Sequence, residues 1–576
     1  MEPTSSEYPQ YQAYKFSEKD QPDINITNDD APIDADDREE DKDTFTVNTC
    51  YSRVERHPVR DVCKAMGWKN SISETKGDLF WFIDACNLSL RKMMREKTCY
   101  YNRYPRISIV CLKRDFHILL KKYQTFFPKD FDFIPKTYIL PEDITAYKRY
   151  LDTQDNPILL AKPSKGRGGE GIFFVKRYKD LDQESMKDYE YVAQHYIPNP
   201  LLIDKKKFDF RLYLMIKGVE NMTGYIASEG MVRFCTEDYT DPFPCDDSDS
   251  NGEEELMDNE LKKKDNLVGH LTNFCLNKES EKYVNNANFK DTDEGTKRLF
   301  TKVLQVLGKM GVDLGKFKED LNDICTKLVI ALRPHIVNKY HHEIGLEGEA
   351  NQNCFHILGI DLMIDENHKL WIIEINCFPS FNYFITRNII DETTKKRIKI
   401  KQVSEIDKYI KTLIIKEAIQ VIRGEYEESD KVFQQIYPPK DTENYKNLNI
   451  YDNIRKVFEN LAYPQKPDYI NLDQFETIGQ YGEEMKHIGQ EDSKSPEDGR
   501  SLTNEIGASA KLDAKILTKT LLRNYFKDYA KSGKQTLMNL SQFTKAIDAL
   551  ATTLYPGYFT KYERMSRIME DLFHMP

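Results

Sequence analysis

The stretch ILGIDLMIDENHKLWIIEIN, residues 357–376, decides how the chain is read. Two apolar runs, Ile357 to Ile364 and Leu370 to Asn376, flank the polar turn DENHK, which predicts two β-strands joined as a hairpin. Asp361 sits inside the first run. Glu374 and Asn376 lie two apart on the second, so their side chains share a face. A carboxylate placed in such strands is costly unless it is paired or binds a metal. Three oxygen donors converging from one hairpin suit Mg²⁺, which also takes phosphate oxygens and water. A buried ion pair with an Arg or Lys elsewhere is the competing reading.

Upstream, the strand PILLAKP ends on Lys162 and runs into SKGRGGEG, then a second strand, IFFV. Gly166, Gly168, Gly169 and Gly171 let backbone N–H groups approach an anion closely, and Arg167 adds charge. Strands on both sides favour a lid over phosphates; Rossmann and Walker turns need a following helix. A plain hairpin tip explains the glycines equally well. In KKKFDFRLYLM, Lys207, Asp209 and Arg211 fall on one strand face and Phe208, Phe210 and Leu212 on the other. The charged face is either a solvated edge or the wall of a nucleotide site. EGMVRF presents Arg233 beside Glu229, and HLTNFCLNK presents Thr272, Asn273 and Lys278. Each segment alone is more often structural than chemical.

The 576 residues suffice for two to four domains, and 40% are hydrophobic. A formal net charge of −11 argues against a general nucleic-acid binder. Eleven scattered Cys without a C-x-x-C predict a reduced, intracellular chain. No apolar run spans a bilayer, and the polar start MEPTSSEYPQYQ is no signal peptide. Residues 1–49, which hold DDAPIDADDREEDKD, read as a disordered acidic tail. Residues 50–130 read as an N-terminal α/β lobe and 131–240 as a strand-rich central lobe. Residues 241–266 read as a disordered acidic insert. Residues 267–424 read as a lobe that carries the candidate metal site, helical from Thr296 to about Lys339 apart from GKMGVDLG, and ending in an amphipathic helix over Ser404 to Ile422. Residues 425–576 read as a helical extension, split by a linker near 490–501. In it INLDQF and MNLSQF echo the loop-to-helix end of an EF-hand, but the loops before them lack spaced Asp and Asn, so such a pair would be metal-free. An ordinary helical bundle is the preferred alternative.

The ordered set KFDFRLYLM, EGMVRF, HLTNFCLNK, ILGIDLMID and WIIEINCFPS closely resembles the tubulin tyrosine ligase-like family over roughly Tyr101 to Gly424. FIPKTYILPED and AQHYIPNPLLI also fit, and GWKN, WFID and YYNRYP extend the match to about Tyr51. The resemblance implies an α/β ATP-grasp fold of three lobes, with ATP held between two sheets. It implies an ATP-dependent carboxylate–amine ligase acting through an acyl-phosphate, with ATP and Mg²⁺ bound. On the family's pattern Lys162, Arg167, Gly168, Gly169 and Gly171 would hold phosphates. Gln194, Tyr196 and Ile197 would line the adenine, with Lys207 and Asp209 nearby. Arg211 would reach the γ-phosphate; Arg233, Thr272 and Asn273 would face the acyl-phosphate and the incoming amino acid; Asp361, Glu374 and Asn376 would hold the metal. SKGRGGEGI is longer than the family's usual S-R-G-R-G-I and carries Glu170, which puts the lid's geometry in question. The implied acceptor is an acidic tubulin tail on a microtubule, and the basic run KKRIKIK either steers it or is a solvated face. Glutamate is the expected amino acid; glycine, tyrosine, or a catalytically silent microtubule-binding protein are the alternatives. A monomeric cytoplasmic, cytoskeletal protein, at a cilium or basal body, bound to neither nucleic acid nor membrane, completes the expectation.

Overall fold

Alternating side chains in the strand that carries KFDFRLYLM organise the molecule. The computed structural model describes residues 44–52, 56–83, 88–96, 99–166, 168–181, 186, 190–240, 267–278, 280, 282–285, 289–290, 295–345, 353–390, 397–425, 431–462, 469–478, 519–530, 537–555 and 560–573. Arg167, the acidic insert at 241–266, the linker at 490–501 and most of the N-terminal tail lie outside them.

The N-terminal lobe starts earlier than expected. β1 (Thr46–Asn48) is followed by α1 (Arg56–Met66), β2 (Lys69–Ser71), β3 (Leu79–Phe80), α2 (Leu88–Glu96) and β4 (Tyr100–Tyr101). The four strands form a parallel sheet in the order β2-β1-β3-β4. Val47, fully buried, anchors β1 and draws the last residues of the supposed tail into the fold. RISIVC forms the short helix α3 (Ser108–Cys111), and α4 (Lys113–Phe126) follows.

Next comes the antiparallel sheet β5-β8-β6-β7, built from β5 (Thr137–Leu140), β6 (Leu159–Pro163), β7 (Phe173–Val175) and β8 (Tyr191–His195). α5 (Ile144–Thr153) packs on it through Tyr147 and Leu151. The larger sheet holds β9 (Leu202–Ile203), β10 (Lys206–Lys217), β11 (Thr223–Ala227), β12 (Met231–Phe234), β13 (Lys297–Leu299), β14 (Phe355–Ile364) and β15 (Leu370–Asn376). β10 lies at its centre. Phe208, Phe210, Leu212, Leu214 and Ile216 join the core that also holds the long helix α8, while Lys207, Asp209 and Arg211 face the other way. Between β12 and β14 the chain forms α6 (Phe274–Asn277), α7 (Phe300–Lys309) and α8 (Leu314–Glu343). The helical reading from Thr296 is corrected at its start: Lys297–Leu299 pairs with β12 as a strand. GKMGVDLG does break the helices, because Gly311 adopts φ +94° and Asp313 caps α8 by accepting from Gly315 and Lys316 N–H groups.

α9 (Glu405–Arg423) is the expected amphipathic helix, buried through Ile406, Ile410 and Ile414 and ended by Gly424 at φ +72°. The hairpin of β16 (Phe384–Ile390) and β17 (Arg397–Val403) is a separate antiparallel unit, and the described part of KKRIKIK lies in β17.

Beyond Gly424 the chain is not solely helical. β18 (Phe433–Tyr437) pairs with β11 and extends the main sheet. α10 (Ile450–Ala462), α11 (Leu472–Glu476), α12 (Lys519–Tyr529), α13 (Leu540–Leu554) and α14 (Lys561–Phe573) follow. Ile470 and Met538 exchange two backbone hydrogen bonds of 2.9 Å, and Asn471 and Asn539 each form a capping box with Gln474 and Gln542. Phe475 and Phe543 are buried with ring centroids 6.0 Å apart. The two sequence echoes are thus a paired helix–loop–helix arrangement joined by a short β-bridge. The loop residues that precede them, 463–468 and 531–536, lie outside the described residues.

Candidate active site

The strand registers place one charged row across the large sheet. Lys297 on β13 is opposite Arg233 on β12, and Arg233 is opposite Asp209 on β10. Two residues along β10, Arg211 is opposite Asp361 on β14, which is opposite Glu374 on β15. Directly opposed side chains in a sheet have Cβ atoms roughly 5 Å apart, so neighbours in this row interact.

The interior of the row is neutralised internally. Arg233 grips both carboxylate oxygens of Asp209, Nε at 2.9 Å, and its Nη2 also donates to Asp361 at 2.9 Å. Arg211 donates to both oxygens of Asp361, Nη2 at 2.9 Å. Burial alone would raise the Asp361 carboxyl, but the two guanidiniums outweigh it and hold the group well below the usual carboxylate range. A Cβ on Gly359 would press on Pro379 Cβ at 3.2 Å and touch Arg211 Cδ at 3.4 Å in ordinary contact. Asn376 Nδ2 donates at 3.3 Å to both Asp361 and Glu374, so these three side chains lie together on the hairpin. The ion-pair reading of Asp361 also holds, and a metal at this point must share that carboxylate with the arginines.

Lys162 and Lys207 have no carboxylate within hydrogen-bond reach among the described residues. The Lys162 ammonium, nearly fully buried, donates to Gln194 Oε1 at 2.6 Å. Lys207 donates to the Tyr196 hydroxyl at 3.2 Å and lies over its ring. Burial pushes each down to about 8 from the ordinary 10.5. Gln194 is in turn steadied by Thr137 and by His117, whose imidazole is pushed down to about 3 by burial, then by Lys162 and Lys113. Tyr196 also contacts His270 Nδ1 at 3.0 Å.

Lys162, Gln194, Tyr196, Lys207, Asp209, Arg233, Asp361 and Glu374 line a cleft between the two sheets, while Arg211 and Asn376 stand behind that lining. Leu160, Ile172, Ile197, Met363 and Ile373 supply apolar walls, and Thr272 and Asn273 close one side. The glycine loop reaches over that side. Gly168, Gly169 and Gly171 have φ values of +62°, +90° and +69°. A Cβ on Gly169 would meet Leu276 at 2.9 Å and Asn273 at 3.2 Å, so the tip rests on the HLTNFC turn. Glu170 is exposed, which answers the concern about an extra carboxylate beside an anion. Sequence reasoning missed Lys113. Its ammonium donates to the Gly166 carbonyl at 2.7 Å and lies 3.8 Å from Glu374, tying the loop's base to the hairpin. Nothing in the pattern of an amphipathic helix marks that residue.

A profile of the tubulin-tyrosine ligase family matches residues 91–409, more than half of the chain. Tubulin polyglutamylase TTLL11 of Mus musculus is 29% identical over 347 residues, covering 58% of this chain and 44% of the relative. Tubulin polyglutamylase ttll6 of Danio rerio is 29% identical over 326 residues, 56% of this chain and 38% of the relative. The probable beta-tubulin polyglutamylase of Tetrahymena thermophila is 30% identical over 326 residues, 55% and 25%. The matches span less than half the length of these three curated relatives, and the family match ends before β18 and the helices that follow it. No helix among the described residues is long and apolar enough to cross a membrane. With the motif order, the two sheets around a cleft and the profile in agreement, the chain belongs to the tubulin-tyrosine ligase family.

Proposed function

We propose that this chain is an ATP-dependent ligase that joins glutamate to a glutamate side chain in the acidic tails of tubulin. The observation that carries the proposal is the pair of buried ammoniums, Lys162 and Lys207, which among the described residues hydrogen-bond only to neutral acceptors, beside the Asp361, Glu374 and Asn376 set. Glu374 and Asp361 near Lys162, and Asp209 near Lys207, only partly offset the cost of burial, and phosphates supply further negative charge. Lys162 and the N–H groups of the glycine loop bind the phosphates, while Gln194 and Tyr196 fix the two ammoniums. Asp361, Glu374 and Asn376 are hard oxygen donors that fit Mg²⁺, which when bound neutralises phosphate oxygens. Arg211 and Arg233 stabilise negative charge at the transferring phosphoryl group.

The reaction takes two steps. An acceptor carboxylate oxygen attacks the γ-phosphorus and ADP leaves, giving an acyl-phosphate. The amino acid's amine then attacks the acyl carbon, phosphate leaves and an amide forms. The names of the relatives favour glutamate and tubulin, which would place the protein with the cytoskeleton. The test is incorporation of labelled glutamate, glycine and tyrosine into purified tubulin with Mg²⁺–ATP, using wild type and Glu374→Gln. Label from glutamate that Glu374→Gln abolishes is the expected result. Label from glycine or tyrosine alone reassigns the substrate, and no label from any of them removes the reading.

A further inference from the structure

The charged row does not stop at Arg233. Lys297, its cross-strand neighbour, donates to Asp407 on α9 at 2.6 Å. Lys411, one turn further along α9, donates to the same carboxylate at 2.8 Å and to the Asn382 carbonyl at 2.7 Å. The three charged side chains are about nine-tenths buried or more. Two ammoniums therefore share one carboxylate, while Arg211 and Arg233 are matched one for one by Asp361 and Asp209. Asp407 is further committed to the Ser404 hydroxyl at 2.6 Å. It sits in the first turn of α9, where the helix end adds positive potential. An ammonium has three donors. Lys297 has one hydrogen-bond partner among the described residues and Lys411 has two, so both have N–H groups to give. Burial, then Lys411 and Arg233, push Lys297 down, with only Asp407 opposing them.

A buried excess cation asks for an anion. The position says which one. The cluster lies beyond Arg233, on the far side of the row from Glu374 and Lys162. Phe274 of α6 underlies Lys297 at 4.2 Å, directly after Thr272 and Asn273, and the Asn382 backbone bounds Lys411. A polypeptide acceptor needs an open groove. A free amino acid carries a carboxylate beside its amine and is small enough to reach Lys297 past Arg233, Thr272 and Asn273, which line the cleft.

We propose that Lys297 and Lys411, held by Asp407, form the subsite for the α-carboxylate of the incoming free amino acid, setting its amine toward Arg233. This rests on the ligase reading above. The subsite would hold any α-amino acid, so it orients the nucleophile and leaves side-chain selection to other residues.

The test uses the full chain, Mg²⁺–ATP and tubulin, with glutamate or isoglutamine, its α-carboxamide, as the amine donor. Wild type should prefer glutamate by about a hundredfold in kcat/KM, the scale of charge-assisted hydrogen bonds. Lys297→Gln and Lys411→Gln should each raise the KM for glutamate by about tenfold or more. They should shrink the preference over isoglutamine and leave the KM for ATP within about twofold. Lys297→Arg should restore part of the preference. A retained stabilisation by Mg²⁺–ATP shows that a variant is folded; should Lys297→Gln fail it, Lys411→Gln carries the test. Variants that keep the wild-type preference, or that change the KM for tubulin instead, overturn the subsite alone. A wild type that incorporates no amino acid overturns the ligase reading, and the subsite with it.

Discussion

Replacing Lys162 by Met separates a residue placed for a ligand from one placed for stability. The ammonium is buried, and its only hydrogen-bond partner among the described residues is Gln194 Oε1, 2.6 Å away. Burial pushes it down to about 8 from 10.5. At ~1.36 kcal/mol per pH unit, holding that charge inside costs about 3 kcal/mol near neutral pH. Met fills nearly the same volume and removes the charge. It leaves Gln194 Oε1 without its donor, a loss of about 1–3 kcal/mol. The expected net effect on the ligand-free protein is between no change and a gain of about 2 kcal/mol. At ~2.1 cal/mol/K per residue of unfolding entropy, each kcal/mol moves Tm by about 1 °C in a chain this long. The sign with pH follows from the depressed lysine. Its destabilisation is present in full below about 8 and fades as pH rises toward 10.5, so the advantage of Met shrinks across that window. Mg²⁺–ATP at a hundred times its Kd should raise the wild-type Tm by about 3 °C and the variant's hardly at all. The assay is differential scanning fluorimetry at pH 7 and pH 9.5, with and without Mg²⁺–ATP. A fall of more than about 2 °C in the ligand-free variant, or an undiminished response to ATP, would refute the reasoning.

Three further outcomes are expected. On the proposed reading Lys162 and Lys207 hold phosphates only while charged, so the affinity for Mg²⁺–ATP measured by calorimetry should fall as pH rises through 8, by up to about tenfold per pH unit for each lysine. Gly169→Ala places a Cβ 2.9 Å from Leu276 at φ +90°, costing about 1 kcal/mol or more; a raised KM for ATP and faster proteolytic nicking of the loop should follow, with Tm little changed. Arg455 is fully buried and pairs with Asp452 at 2.8 Å and with Glu459, within a network that joins α10 to Arg333 and His341 of α8. Arg455→Met should therefore cost about 3–5 kcal/mol, read as a lower Tm and faster hydrogen exchange in α8.

The site hairpin was legible because Asp361, Glu374 and Asn376 interrupt apolar strands, where oxygen donors need a reason. β10 was legible because period-two alternation over KFDFRLYLM assigns each face without knowledge of its neighbours. What the sequence withheld depends on register. That Asp209 belongs to Arg233, and Asp361 to two arginines, follows only once β10, β12 and β14 are aligned. Lys113 reaches the loop from a helix whose pattern announces only an apolar face. β18 was hidden because FQQIY has too few apolar residues to declare a strand, and β11 supplies the edge that makes it one. Lys297 was assigned to a helix because LFTKVLQVL behind it is strongly helical and three residues carry no period of their own.

The most direct test of the central claim follows one atom. If the chain activates a carboxylate by phosphorylation, an oxygen of that carboxylate must leave with the phosphate when the amide forms. Tubulin labelled with heavy oxygen in the side-chain carboxylates of its tail glutamates is incubated with the enzyme, Mg²⁺–ATP and the amino acid, and the released phosphate is examined by mass spectrometry. The account predicts one heavy oxygen in phosphate for each amide formed, and none with Glu374→Gln. Amide formation with unlabelled phosphate would contradict it.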